Sequence, residues 1–235
     1  MPTFLDLQDD AALVSFEHQL HLTDTVGVPP WEVDLAVPRF GFGGDRPMTA
    51  SAVHLLGSAA PGPGSWLWSW ANPSGYRREV IQLAEQLRDF GEEHGIPELS
   101  EPEVPFDGLP GSPTEPARVA SLMMEAAKAV TKRWTGYQGP VGGGTRIGML
   151  IEHPAFLLPE PEGPRVTRVL QQGLAELRFS DQRRAFRAYA VDRGLRLREN
   201  DTQLDIEGEG FSVTVQFTGN NLVSAMSANM GGVHR

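Results

Sequence analysis

Three of the chain's five tryptophans fall at alternate positions in the stretch Trp66-Leu67-Trp68-Ser69-Trp70-Ala71-Asn72-Pro73. In an extended strand, successive side chains point to opposite faces, so the three indoles share one face and Leu67, Ser69 and Ala71 the other. Three indoles make a large, rigid apolar surface whose N–H groups need partners when buried. Asn72-Pro73 suits a helix start, with Asn as the N-cap and Pro at the first helical position. The stretch therefore reads as a tryptophan-faced strand running straight into a helix. Such a face serves either as packed core beneath that helix or as an aromatic wall for a sugar, a cation or a proline-rich peptide. Aromatics at period two favour the core.

The rest of the chain supplies layers to pack against that strand. Residues 9–22 read as a first helix on the spacing of Leu13, Phe16 and Leu20. Trp31 to Val37 alternates as a half-buried strand, with Glu32 and Asp34 on its polar face. Arg39-Phe40-Gly41-Phe42 and residues 48–57 are further extended segments, so the succession predicts an antiparallel meander. After Asn72, the stripe Val80, Leu83, Ala84, Leu87 and Phe90 predicts an amphipathic helix. Pro97 to Pro116 reads as an extended loop, and Ser112-Pro113-Thr114-Glu115 as a capping box opening a helix with Val119, Leu122, Met123, Ala126 and Val130 inward. Gly136 to Gly144 reads as a flexible turn before a strand at 145–151.

Composition shifts to Pro, Glu and Gly over 152–164, which marks a linker between an N-terminal domain (1–151) and a small C-terminal one (165–235). Beyond it, two helical stripes are followed by four strands with hairpin turns at Gly208-Glu209-Gly210 and Gly219-Asn220-Asn221. Phe211, Val213, Val215 and Phe217 alternate with Ser212, Thr214 and Gln216, so one face is core and one is wet. The fold class is α+β: an antiparallel β-meander packed by helices, followed by a small α+β unit of two helices and a second meander.

The segments Trp31-Glu32-Val33-Asp34-Leu35, Phe40-Gly41-Phe42 and Trp66-Leu67-Trp68-Ser69-Trp70-Ala71-Asn72 together resemble an uncharacterised bacterial domain family. Phe90-Gly91-Glu92-Glu93-His94-Gly95-Ile96 is similar to it as well. The resemblance covers roughly residues 10–151 and implies a fold without an activity.

The charge balance narrows the functional classes. A net charge of −10 and a pI near 5.1 argue against a nucleic-acid binder, which must neutralise phosphates. No apolar run approaches the roughly 20 residues of a membrane span, and Met1-Pro2-Thr3-Phe4 does not open like a signal peptide. Zero cysteines exclude disulfides and thiolate metal sites and fit a cytoplasmic protein.

Candidate chemistry is sparse. Gly136 to Thr145 lacks the Gly-Lys-Ser/Thr of a phosphate loop and runs into a strand. His18 and His21, with Glu17 beside them, have helical metal-ligand spacing but no His-Glu-x-x-His order, so they read as an exposed helix face. Asp205-Ile206-Glu207-Gly208-Glu209 lacks a 12-residue calcium loop and reads as a charged hairpin. Glu32 and Asp34 share a strand face, as catalytic carboxylates or ordinary wet side chains would. With no nucleophile elbow and no cysteine, the reading is a non-enzymatic binding or protein-interaction module that needs no cofactor or metal. One concrete form is an acidic partner of a basic protein, as an immunity protein is to a toxin. The alternative is a small-ligand-binding or hydrolytic protein with an aromatic pocket built from Trp66, Trp68 or Trp70 with Tyr137 and an acid from Glu32 or Asp34.

Overall fold

The computed structural model describes residues 1–45 and 47–231. It is α+β, and it divides into two compact units. The first comprises Met1–Leu7 and His18–Leu157; the second comprises Gln8–Glu17 with the chain from Leu158 onward. Among the described residues, no helix is long and apolar enough to cross a membrane.

Helix α1 (Phe4–Val26) begins earlier than its apolar spacing indicates. Thr3 and Asp6 cap it reciprocally: the Thr3 hydroxyl accepts from the Asp6 N–H, and the Asp6 carboxylate accepts from the Thr3 N–H at 2.8 Å. Strand β1 (Trp31–Asp34) stops three residues short of the alternating run. There the Asp34 carboxylate accepts from the N–H groups of Ala36 and Val37, closing a turn in place of more strand. With β2 (Arg39–Phe42) and β3 (Met48–Thr49), β1 forms a small antiparallel sheet.

The main sheet of the first unit starts with β4 (Ala52–Ala60) and β5 (Ser65–Trp68). The chain then leaves the extended form. Ser69–Ala71 is a 3-10 turn, so Trp70 does not share the strand face with Trp66 and Trp68. The Asn72 side chain accepts from the Ser74 N–H, a local turn, and helix α2 (Arg78–His94) opens five residues beyond Pro73. The proline-rich stretch that follows is more ordered than a loop, holding α3 (Pro97–Ser100) and β6 (Glu103–Pro105). The Trp68 indole N–H donates to the Glu98 carbonyl of α3 at 3.1 Å, and this partner ties the stretch to the core. Helix α4 (Pro116–Thr131) carries its proline at the start, but Glu115 is the cap residue and makes no side-chain cap bond. Ser112, outside it at a φ of 43°, donates instead to the Asp107 carbonyl. Most of the glycine-rich segment is strand: β7 (Gly136–Gly142) pairs with β8 (Thr145–Glu152), leaving only Gly143 and Gly144 for the turn.

The sheet order is β6-β5-β4-β8-β7, with every pair antiparallel. It is a three-strand meander (β4, β5, β6) joined through β4 to a hairpin (β8, β7). Alternation sorts the two faces. Ile147, Met149 and Ile151 point into a cluster with Phe40, Phe42 and Leu22. On the opposite face, Gly148 lies against Met124 of α4 and the Trp66 indole. Gly57 and Gly148 pair across β4 and β8, and a Cβ on either would meet the Trp66 ring, at 2.7 and 3.0 Å. Two glycines therefore make the seat for one indole.

In the second unit, α5 (Gly163–Glu176) and α6 (Gln182–Asp192) precede β9 (Arg196–Asn200), β10 (Gln203–Gly208), β11 (Phe211–Phe217) and β12 (Val223–Met230). The strands form a true meander in the order β12-β11-β10-β9. Leu204, Ile206, Val213 and Val215 are fully buried, as are Phe186 and Tyr189 of α6, and the Phe186 ring meets Phe217 edge-on at 6.3 Å. Asp181 caps α6 by accepting from the Arg184 N–H. The Gln8–Glu17 part of α1 packs here too, and a Cβ at Gly173 of α5 would meet Leu13 at 2.4 Å.

Candidate functional site

The six residues singled out by the sequence do not converge. Trp66 and Trp68 are both 0 % exposed, with their rings edge to face at 5.5 Å. An indole serving as a binding wall needs a face in reach of a ligand, and these two have none. Trp70 is half-buried and carries the Arg88 guanidinium 5.5 Å from its ring centroid. Tyr137 lies elsewhere, edge-on to Trp31, Phe40 and Phe42 at 5.2–5.4 Å, and burial pushes its hydroxyl above the ordinary tyrosine pKa. Glu32 and Asp34 are exposed on β1. Glu32 pairs with Arg39 at 2.5 Å, and Asp34 holds its turn. Neither carboxylate faces the tryptophans or forms an acid/base pair with the other.

A cleft of about 270 Å³ opens instead where α4 hands over to β7, beside the end of β8. Lys132 sets its direction. It caps α4 in the left-handed conformation (φ 55°, ψ 26°), a place glycine usually fills, and turns the chain out of the helix axis. Holding a non-glycine residue there costs on the order of 1 kcal/mol. Arg133, Trp134 and Thr135 then run along the cleft, and the Thr135 carbonyl joins the sheet by accepting from the Ile151 N–H.

Trp134 is flanked on two sides. The His18 ring stacks on it at 6.2 Å, and the Lys132 ammonium lies 5.3 Å from its centroid. Arg133 is oriented by Glu152, the last residue of β8, whose Oε1 lies 3.3 Å from the Arg133 Nε. The same Oε1 lies 3.0 Å from Nε2 of the buried His54. A guanidinium held through Nε still has its planar Nη pair to offer an anion. His153 follows, and its Nδ1 accepts from the Ala155 N–H, which leaves Nε2 as the proton-bearing nitrogen of the neutral ring. Ile151, Phe156 and Leu157 supply an apolar lining.

Lys132, Arg133 and Glu152 thus line one cleft together with apolar neighbours, on a chain whose net charge is −10. The negative end of the α4 dipole lies at Lys132 and Arg133, where it stabilises the two cations and offsets part of their charge. The Ser51 hydroxyl donates to the Glu152 main-chain carbonyl at 2.8 Å, and His153 Nδ1 is taken by backbone. Among the described residues, neither hydrogen bond joins a nucleophile to a base, the pairing that covalent catalysis requires.

His18 is only 8 % exposed and Glu17 is fully buried, so this part of α1 is not the solvated face its sequence suggests. The sequence signal for the cleft was present at Lys132-Arg133-Trp134, two bases and an aromatic just beyond the last apolar position of a helical stripe. It was overshadowed by the three alternate tryptophans upstream.

An α+β domain with a cationic, aromatic-walled cleft is the class that fold and site define. Residues 5–154 match a family of unknown function (DUF6882), and the chain belongs to that family. No curated protein matches the chain, and neither does any solved structure.

Proposed function

We propose that the first unit is a binding domain for a small organic anion, a carboxylate or phosphate ester carrying an apolar group. One observation carries the reading: the cleft sets Lys132, Arg133 and His153 around a floor of Ile151 and Phe156. The anionic group would sit against the Arg133 fork and the His153 Nε2–H, and the apolar body against the floor. Small-ligand sites commonly combine an apolar lining with a few converging polar groups in this way.

The binding role expected from composition is kept, but its ligand changes sign. A cationic cleft selects an anion and lends nothing to a basic protein partner, which would need acidic surface instead.

Isothermal titration calorimetry with benzoate, phenyl phosphate and inorganic phosphate tests the reading. An aromatic anion should bind and inorganic phosphate should bind more weakly, because only the former uses the floor. Arg133→Ala should weaken binding by roughly 10- to 100-fold, the worth of a charge-assisted hydrogen bond at about 1.5–3 kcal/mol. Its side chain is 53 % exposed, so folding should be unaffected. Affinity unchanged in that variant, or no heat with any of the three anions, would overturn the assignment.

A further inference from the structure

The four-stranded sheet of the second unit has two outer edges, and they differ in chemistry. Strand β9 carries Arg196, Arg198 and Glu199 on one edge. Charges on an edge strand are a common protection against pairing with another strand. The opposite edge, β12, reads Val-Ser-Ala-Met-Ser-Ala-Asn-Met and has no charge, no proline and no glycine. Its neighbour β11 is uncharged as well, including the outward residues Ser212, Thr214 and Gln216. Ser224, Ala225, Ser227, Ala228 and Asn229 of β12 are exposed, and Met230 is 44 % exposed. Beyond Val223, whose N–H donates to the Gln182 side chain, this strand presents a row of backbone donors and acceptors with no charged side chain among its own residues.

We infer that β12 is a dimerisation edge that pairs antiparallel with β12 of a second copy of this chain, joining two four-stranded sheets into one of eight. The occupant follows from charge. An uncharged strip cannot select a partner by opposite charge, whereas it meets its own copy without the repulsion that the acidic surface imposes elsewhere. Geometry agrees. A two-fold axis perpendicular to the sheet keeps each residue on its own side. With the axis through Ser227, Met226 of one copy lies across from Ala228 of the other, so a flexible and a small apolar residue meet on the face that α5 covers. Ala225 lies across from Asn229 on the wet face, and Ser227 across from Ser227. Each facing pair combines a small residue with a small or flexible one, which the close approach of paired strands requires.

Sedimentation equilibrium of the full chain tests the inference. The wild type should show a concentration-dependent monomer–dimer equilibrium. Ser227→Lys sets two like charges face to face across the axis and should weaken association by about tenfold or more. Asn200→Lys, on the β9 edge, should leave association unchanged. Should the Ser227 variant fail to fold, amide exchange of the wild type decides: exchange along β12 should slow as protein concentration rises. A wild type monomeric at about 100 μM, a dimer indifferent to Ser227→Lys, or β12 exchange independent of concentration would each overturn it.

Discussion

In the first unit the largest fully buried side chains are two indoles, one of them seated on a glycine pair, whereas the second unit encloses the Glu17 carboxylate within its apolar core. Trp66 and Trp68 fill their space by shape, and the main polar requirement at Trp68 is met by one backbone carbonyl. Glu17 is equally inaccessible, yet it is a carboxylate held by two hydrogen-bond donors, Arg165 and Tyr189, with the Arg193 cation beside it. The Arg165 Nε lies 2.7 Å from one oxygen; the Arg193 Nε at 3.0 Å and the Tyr189 hydroxyl at 2.9 Å approach the other. Burial, with the Glu17 carboxylate beside it, pushes the Tyr189 pKa far above its ordinary value, so the hydroxyl remains a proton donor. Apolar burial is non-directional and tolerates small misfits. A buried ion tolerates none, because each missing partner leaves an uncompensated charge.

The contrast can be broken at either end. Trp68→Ala should cost the most, about 3–5 kcal/mol, from lost transfer energy and the cavity left behind. Chemical denaturation measures it, and a variant within about 0.5 kcal/mol of wild type would show that the indole is not core. Glu17→Ala should come next, toward the low end of about 3–5 kcal/mol. The Arg193 side chain is only 10 % exposed and would lose its counter-charge, while Arg165, at 27 %, can turn toward water. Glu17→Gln should recover part of this loss by keeping an acceptor for the Tyr189 hydroxyl. Equal costs for Ala and Gln would remove charge from the account and leave packing.

The smallest effect sharpens the comparison through pH. Asp9, on the α1 segment of the second unit, is 2 % exposed and has its pKa raised from 3.8 to about 6. Burial is the largest cause, partly offset by N–H bonds from Ser180 and Asp181 at 2.9 and 2.7 Å. A raised pKa means that the folded state holds the proton more tightly than the unfolded one. Its stability contribution is therefore complete below about pH 4 and is lost as pH rises through about 6, a change on the order of 2–3 kcal/mol. Measured against Asp9→Asn, wild-type stability should fall across that window and level off above it. A flat difference between the two proteins from pH 4 to 7 would place the Asp9 carboxylate at its ordinary pKa.

Periodicity carried most of the architecture. The stripe Val80, Leu83, Ala84 and Leu87 is buried as spaced, and the alternation of β11 is buried, half-buried, buried along its length until Gln216. Turn chemistry was less legible, because one local hydrogen bond decides it. Asn72 spends its side chain on Ser74 instead of capping a helix, and Asp34 ends a strand whose apolar alternation continues to Val37. The cleft was hidden for another reason. Lys132, Arg133 and Trp134 sit next to one another, but His18, Glu152 and His153 reach them only through the tertiary fold. The buried ions were least readable of all. Glu17 looks like any helical glutamate, and its partners lie 148 to 176 positions along the chain.

That separation bears on how the molecule comes into being. The ten residues from Gln8 to Glu17 complete the packing of the second unit, yet they fall within the residues 5–154 shared with the family. On a ribosome they emerge first and wait, with Asp9, Leu13 and Glu17 unpaired, until α5 and α6 have been made. Chain segments so distant close slowly, since the entropy of a long loop is lost before any contact rewards it. A fragment cut at residue 157 would carry an orphaned acidic and apolar face on its first helix. A fragment starting at residue 158 would lack the strand of chain that neutralises Arg165 and Arg193. Neither half, expressed as a contiguous piece, contains all of its own interior.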